Sequence, residues 1–445
     1  MYKRDLINFL FILSFPMYGL GTYVSAIKSP SIGYLVSISP HLLIMLFYCI
    51  DLLYQREFKS RLNGYYFFML LFILSSAASL FIALGKGLPE ATLTLTITKS
   101  LLLIVPFHSF LMVILYNEKK GSLLKLTLLS LSLLLAINLV GFFVLRLSNG
   151  VHSIEGRLNF PFLDGFYSGA SLLAIINLML LYYLQRTWSD PVRFVSLSAY
   201  FFFNLAMFFM INSRLTILVF VLVLGFCLLG IIRMKGLYLL SMFTIPILLS
   251  SGLLLYRFLQ LPGLSSMMQR VDIEDVTTFN GRAFLWQDGM DWLLDDQRGL
   301  LLGNGYKGHY FLDLISDVAK LWNEKDVHHM HLHSTSMEVL VSQGLIFFAI
   351  FSIVFYQIYH HFKTKHKKGK EEGAFLPVVI FLLFIMQVDG FVYLDSLGAV
   401  IFSLLVARIV TKDKANVKQG IKLPKQIEMF DYERTSRAWG APSLN

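Results

Sequence analysis

Four histidines fall within a short stretch, His328, His329, His331 and His333, and the run continues Ser334-Thr335-Ser336-Met337-Glu338 to Gln343-Gly344-Leu345. It lies where a long polar loop re-enters a hydrophobic run. Thr335 and Glu338 have the T-x-x-E spacing of a capping box, so a helix is expected to start there. His333 immediately precedes that helix's positive end, where partial positive charge disfavours the imidazolium form. A neutral imidazole in that place suits a general base acting on a hydroxyl. The same residues also suit an interfacial, hydrogen-bonded cluster without chemistry. A third reading is a metal site, since His329, His331 and His333 alternate as on an extended strand. No cysteine lies nearby, and Glu324 and Asp326 stand at no recognised ligand spacing, so the reading taken forward has no metal.

Cations supply the second half of a possible site. Arg157 precedes an apolar run, Arg214 sits in the tight turn Asn212-Ser213-Arg214, and Arg282 opens Gly281-Arg282-Ala283-Phe284-Leu285-Trp286. Lys99 lies inside an apolar run, where an ionisable group is costly unless paired and is therefore a functional candidate. Guanidinium groups bind phosphate oxygens bidentately and stay charged at any relevant pH, so together these residues point to an anionic ligand. Each arginine alone could equally snorkel to lipid headgroups. Asp389 and Asp395, flanking Gly390-Phe391-Val392-Tyr393-Leu394, either pair with these arginines or simply end two helices.

The elements that must position these groups are membrane spans. Of 445 residues, 56% are hydrophobic and only 15% charged, far fewer charges than a soluble chain carries. Apolar runs near the ~20 residues needed to cross a bilayer occur at 6–27, 33–53, 64–84, 92–116, 123–145, 166–184, 194–211, 215–232, 237–256, 337–359, 374–388 and 396–411. They are continuous rather than alternating, so about twelve helices are expected and not a barrel. Short loops alternate in charge: Lys3 and Arg4; Arg56, Lys59 and Arg61; Lys119 and Lys120; Arg186 and Arg193; Arg233 and Lys235; and Lys363 to Lys370 share one side. The opposite short loops hold few cations, Lys28, Lys86, Arg157 and Arg214 among them, which places both termini in the cytoplasm. The formal net charge of +10 follows from this bias and is no nucleic-acid footprint.

The organisation read from the chain is therefore helices over 1–256, an outer loop over 257–335, helices over 336–411 and a lysine-rich cytoplasmic tail over 412–445. The last dozen residues of that tail look arbitrary, like an expression scar. Val24-Ser25-Ala26 faintly resembles a signal-peptidase site, but the first run is long enough to read as an uncleaved anchor. A loop as long as the outer one is functional or disordered. Trp286, Trp292 and Trp322, with an amphipathic pattern over 281–294 placing Phe284, Leu285, Met290, Trp292 and Leu293 on one face, point to an ordered lid. Leu301-Leu302-Gly303-Asn304-Gly305-Tyr306 reads as a glycine-rich turn without the Gly-Lys-Ser of a phosphate loop. The two cysteines, Cys49 and Cys227, both fall in apolar runs and form no zinc spacing.

In this order of motifs the chain resembles the O-antigen ligase and polymerase superfamily of bacterial envelope enzymes. Asn212-Ser213-Arg214-Leu215-Thr216 resembles that family's Ser/Thr-Arg turn, and Gly281 to Trp286 its Gly-Arg loop helix. His331-Leu332-His333-Ser334, with Gly344 eleven residues beyond His333, resembles the ligase signature, departing from it at Phe347 and carrying Ser334 where Asn is commoner. The resemblance implies an all-α, GT-C-like polytopic protein of the bacterial inner membrane with a large periplasmic loop. It implies a metal-independent glycosyltransferase without cofactor that moves a glycan from undecaprenyl diphosphate to an acceptor glycolipid or glycan. His333 would be the base and Arg214 and Arg282 would bind the diphosphate. Arg157, Lys99 and His331 join the substrate site on charge and topology, and only one of His331 and His333 is expected to face the arginines. Ligation to lipid A–core is the leading reading. The alternative is an O-antigen or capsule polymerase with the same donor chemistry, and a flippase or transporter is a third class, disfavoured by the lack of internal repeats. Oligomeric state is left open.

Reporter fusions test the topology. Fusions after residue 120 and after residue 365 should read cytoplasmic and one after residue 310 periplasmic; a cytoplasmic signal at 310 overturns the shared outer site.

Overall fold

A computed structural model describes residues 3–54, 62–117, 122–148, 158–234, 236–245, 282–321, 327 and 330–411. The described chain is mostly helical. Its helices are α1 (Lys3–Ile27), α2 (Pro30–Tyr54), α3 (Tyr65–Gly85), α4 (Leu93–Asn117), α5 (Leu123–Leu139, running on as a π turn), α6 (Gly165–Arg186), α7 (Pro191–Ile211) and α8 (Arg214–Leu228). They continue as α9 (Gly236–Leu239), α10 (Arg282–Asp295), α11 (Gln297–Leu302), α12 (Gly308–Phe311), α13 (Ser316–Leu321), α14 (Thr335–Lys367), α15 (Phe375–Val388) and α16 (Leu397–Val410). Among the described residues, nine helices are long and apolar enough to cross a membrane, and α8 and α16 are shorter apolar helices. No sheet forms among the described residues; one isolated bridge joins Leu62 and Thr411. This is a multi-pass helical membrane protein.

The expected runs fall on these helices within a few residues. The run at 237–256 is described only to 245, and residues 257–281 and the tail 412–445 lie outside the described residues. The run at 337–359 proves longer, because α14 continues through Lys363, Lys365 and Lys367. Cations favour the negative end of a helix, so the basic segment extends the helix instead of ending it.

Packing sorts the helices by how apolar they are all round. Every residue of α15 is buried, as is nearly every residue of α16. A helix apolar on every face belongs in the middle of a bundle, and α15 packs against α6, α8 and α14. Within a membrane such packing is held by close van der Waals contact and by polar groups bonded between helices, not by exclusion of water. The amide of Gln343 is one such group: its Oε1 accepts from Ser75 Oγ at 2.9 Å and its Nε2 donates to Ser76 Oγ at 3.0 Å, joining α14 to α3. By contrast α7 buries only Asn204, Phe208 and Ile211 and leaves Phe202 and Phe209 exposed on the outside of the bundle.

One break in this regularity positions the site. Gly344 interrupts α14 with φ 81° and ψ 176°, a region open essentially to glycine alone. The break frees carbonyls of the first segment, and the glycine-rich turn fills them: Asn304 N–H donates to Val341 O at 2.9 Å and Gly305 N–H to Ser342 O at 2.9 Å. The close approach leaves no room for a side chain, since a Cβ on Gly344 would stand 2.4 Å from Leu301 O. The turn is further fixed by Tyr306 N–H to Ser79 O at 2.9 Å and by the ion pair of Lys307 with Glu90 at 2.7 Å. The outer segment is thus seated on α3 and α14.

Gly344→Ala should destabilise the fold by ~1–3 kcal/mol from the backbone conformation and by more from the displaced turn, seen as a lower Tm of the purified protein. Gly225→Ala, inside α8 with open space around it, should leave Tm level or slightly raise it. Equal Tm in both variants removes the assigned role of Gly344.

Candidate active site

The histidine loop is pinned from behind before its rings are placed. The helix starts at Thr335 as the sequence suggests, but its cap is Ser334, whose Oγ accepts Met337 N–H at 3.4 Å. The Thr335 hydroxyl instead donates to Asp389 O at 3.1 Å. Glu338 does not close a capping box. Its Oε1 accepts the N–H of Leu332 at 2.7 Å, further back along the chain. Leu332 O in turn accepts from Trp286 Nε1 at 2.9 Å, so helix α10 and α14 hold the loop between them. Leu285 and Leu293 of the expected apolar face of α10 are buried, Met290 and Trp292 partly so, and Trp286 is buried as well.

Behind Glu338 stands His309, which the sequence gave no reason to single out. It is fully buried, with Nε2 donating to Met330 O at 3.1 Å and Nδ1 at 3.4 Å from Glu338 Oε2, an ion-pair distance. A buried carboxylate needs such partners.

His333 has a left-handed backbone, φ 49°, which folds the chain between the cap and His331. The His331 and His333 rings consequently lie 4.0 Å apart between centroids, tilted by 45°. The expectation that only one of them faces the site is corrected: they stand side by side. His331 Nε2 is 4.0 Å from Asp389 Oδ1, and His331 remains largely solvent-exposed. His331, His333 and Asp389 offer one potential ligand atom each, all within 4.8 Å of one another. Ligands on a tetrahedral zinc would be ~3.3 Å apart, so this grouping would have to contract to hold such an ion. His328 and His329 lie outside the described residues.

Around the histidine pair the structure gathers acids. Asp164, directly before α6, keeps access to solvent yet is set deep enough that burial raises its carboxyl. Asp395 and Asp389 raise it further, against the pull of His331 and Lys99. Asp395 is the counter-charge of Lys99, at 3.3 Å. It also accepts from the Tyr34 hydroxyl, and its backbone carbonyl accepts from Tyr18 Oη at 2.7 Å. Burial alone would raise the Asp395 carboxyl; Lys99 and Tyr34 overcome that and hold it below the usual range. Lys99 also donates to Tyr306 Oη at 3.1 Å, with its ammonium 4.7 Å from the centre of that ring. Lys99 is therefore buried and charge-paired, not a free cation in a cleft.

The remaining cations are placed as follows. Arg214 is the first residue of α8 and is exposed, lifted there by the left-handed Asn212 and by Ser213, whose hydroxyl bonds that of Thr216 at 2.7 Å. The far ends of α6, α8 and α14 meet the start of α15 around one cavity. The starts of α6, α8 and α14 therefore share the opposite end with Asp389. Arg214 is on the face of the bundle that carries the histidines. Arg282 begins α10, the helix whose Trp286 holds Leu332. Arg157 lies outside the described residues.

Residues 199–352 match the family model described as O-Antigen ligase. The matched region takes in Arg214, Arg282, His331, His333 and Gly344, and it ends before Asp389 and Asp395. No curated protein matches the chain. Asp164, Tyr34, Tyr306 and His309 were not singled out from the sequence. Asp164 did carry a signal, an aspartate immediately before a helix start; the other three become visible only through contacts across the fold.

A raised carboxyl such as that of Asp164 stabilises the fold when protonated, and this contribution is lost as pH rises through the raised value. Ionised Asp164 is thus held at a cost near neutrality, a pattern found at functional sites. Asp164→Asn should raise Tm at pH ~7–8, and the gain should vanish toward pH ~4, where the native carboxyl is neutral too. A lower Tm at pH ~7 would show that the charge stabilises the fold.

Proposed function

We propose that this protein is an O-antigen ligase-type glycosyltransferase of the bacterial inner membrane, taking a glycan from undecaprenyl diphosphate at the periplasmic face. The observation that carries the reading is the paired His331 and His333, seated at the head of α14 and backed by Glu338, inside the stretch matching the O-Antigen ligase family. In this reading His333 accepts the proton of an acceptor sugar hydroxyl. The oxygen then attacks the anomeric carbon, and the bond from that carbon to the lipid diphosphate breaks. The electron pair leaves on the diphosphate.

The charge developing on that leaving group needs fixed positive partners in a site of low dielectric. Arg214 and Arg282 are assigned this role, with Arg157 as a further member. Lys99, already paired with Asp395, contributes at longer range. His331 is assigned to positioning the acceptor beside His333. Lipid A–core is the proposed acceptor, and the reaction is proposed to need neither metal nor cofactor. The lipopolysaccharide of a deletion strain separates this from the polymerase alternative: bare core with lipid-linked polymer accumulating marks a lost ligase, core bearing a single repeat a lost polymerase.

His333→Ala should lower turnover in a purified transfer assay ~10²–10⁴-fold with donor binding largely intact, and His331→Ala should cost less. Arg214→Ala and Arg282→Ala should nearly abolish transfer. The lysine variants should be clearly impaired, because the charge remains but the bidentate fork is lost. Wild-type activity in an alanine variant removes that residue from the site. If chelator abolishes wild-type transfer, the metal-free mechanism is wrong.

A further inference from the structure

The opposite end of the bundle holds two cavities that differ in charge. One, of about 340 Å³, is lined by Lys365, Lys370 and Arg408 together with Glu371 and Glu372. It is an internal clasp. Arg408 meets Glu372 through two parallel bonds of 2.9 and 3.0 Å, Lys365 lies 3.3 Å from the same carboxylate, and Glu371 accepts from Ser122 and Tyr183. Its charges answer one another.

The other cavity, of about 280 Å³, lies between the ends of α6, α8 and α14 and the start of α15. Its polar lining is Gln185, Arg186, Arg233, His366 and Lys370, and no carboxylate lines it. Leu178, Leu181, Ile232 and Pro377 form its apolar wall. Arg186 is held in place by donating to Gly369 O at 2.8 Å and by lying 4.3 Å over the Tyr182 ring. That bond uses one of its five donors. Arg233 ends the short turn after α8, its N–H donating to Gly230 O at 3.3 Å, and its guanidinium makes no hydrogen bond or ion pair among the described residues. Next to it Leu228 and Leu229 are 78% and 75% exposed, so the apolar surface beside the cavity faces lipid.

We propose that this cavity is a site for the phosphate headgroup of an anionic phospholipid. Guanidinium groups present a planar fork to phosphate oxygens. Basic pockets between membrane helices on the cytoplasmic side are suited to acidic headgroups, and the charge bias assigns this end to the cytoplasm. The volume admits a headgroup and not a whole lipid, whose chains would lie along Leu228 and Leu229. At 1.5 Å per residue, the unbroken part of α14 between Gly344 and His366 alone spans ~30 Å, so the site lies apart from the histidines. The bound lipid would join α6, α8, α14 and α15 at their least compensated point.

The test is a thermal-stability titration of lipid-stripped full-length protein in detergent with phosphatidylglycerol, phosphatidylcholine or inorganic phosphate. Phosphatidylglycerol should raise Tm, and the other two should not at equal concentration. Arg186→Gln/Arg233→Gln should need roughly tenfold more phosphatidylglycerol for the half-maximal shift, and the double lysine variant should lie in between. Arg193→Gln, which removes an exposed arginine paired with Asp190 at the same end, should titrate as wild type. If the double variant does not fold, Arg233→Gln alone carries the test. An equal shift with phosphatidylcholine, an equal shift with inorganic phosphate, or an unchanged midpoint in the glutamine variant overturns the proposal.

Discussion

The carboxylate of Glu338 is the contact on which the outer face depends. It is buried, and a buried charge persists only with partners on every side. Those partners come from two separate parts of the chain, the Leu332 amide of the histidine loop and His309 of the segment after α11, while α14 carries the residue itself. Satisfying one charge therefore fixes the lid, the loop and the helix relative to one another. Trp286 adds the fourth part by taking the Leu332 carbonyl. With both backbone groups of Leu332 occupied, the residues on either side of it, His331 and His333, have little freedom to separate.

The helix break at Gly344 makes that arrangement possible. A straight α14 would satisfy its own carbonyls and offer nothing to the outer segment. Broken, it presents Val341 O and Ser342 O to the Asn304 and Gly305 amides, so the loop is tied by backbone bonds that tolerate many side chains. The glycine in the His-to-Gly spacing is thus explained by a backbone conformation and a close approach, not by chemistry at that residue. The separation of His333 from Gly344 sets how far the histidines stand from the point where the lid is fastened.

Much of this was legible in the sequence, for identifiable reasons. Spans are continuous apolar runs, and a run the width of a bilayer has few alternative folds. The start of α14, the helix from Arg282 and the turn around Gly303 all follow from local chemistry: a capping residue, a 3.6-residue period, glycines. The failures are all non-local or turn on one dihedral angle. Glu338 has the capping-box spacing but is drawn away by Leu332 and His309. The left-handed backbone of His333 brings two rings together that were expected to part. The partner of Lys99 went unidentified because Asp395 lies nearly three hundred residues away in the chain. Asp164 went unremarked because only the fold sets it among Asp389, Asp395 and His331.

The same contacts decide how an anion can be held at this face. A helix N-terminus is often a phosphate site, because its first amides lack partners. At the head of α14 those donors are engaged: Thr335 N–H goes to Asp389 O at 3.2 Å, and Met337 N–H to the Ser334 hydroxyl. The side chains beside them are acidic, with the Asp389 carboxylate next to His331 and Asp164 facing the same group. A diphosphate placed there would meet these carboxylates, and two of the first-turn amides are already taken. The head of α14 holds two imidazoles next to a carboxylate. In the proposed reaction, stabilisation of the diphosphate is therefore assigned elsewhere on the same face, to residues such as Arg214, exposed at the head of α8. Separating the proton acceptor from the anion holder is what a displacement of diphosphate by a sugar hydroxyl demands, because the two charges develop on opposite sides of the reacting carbon.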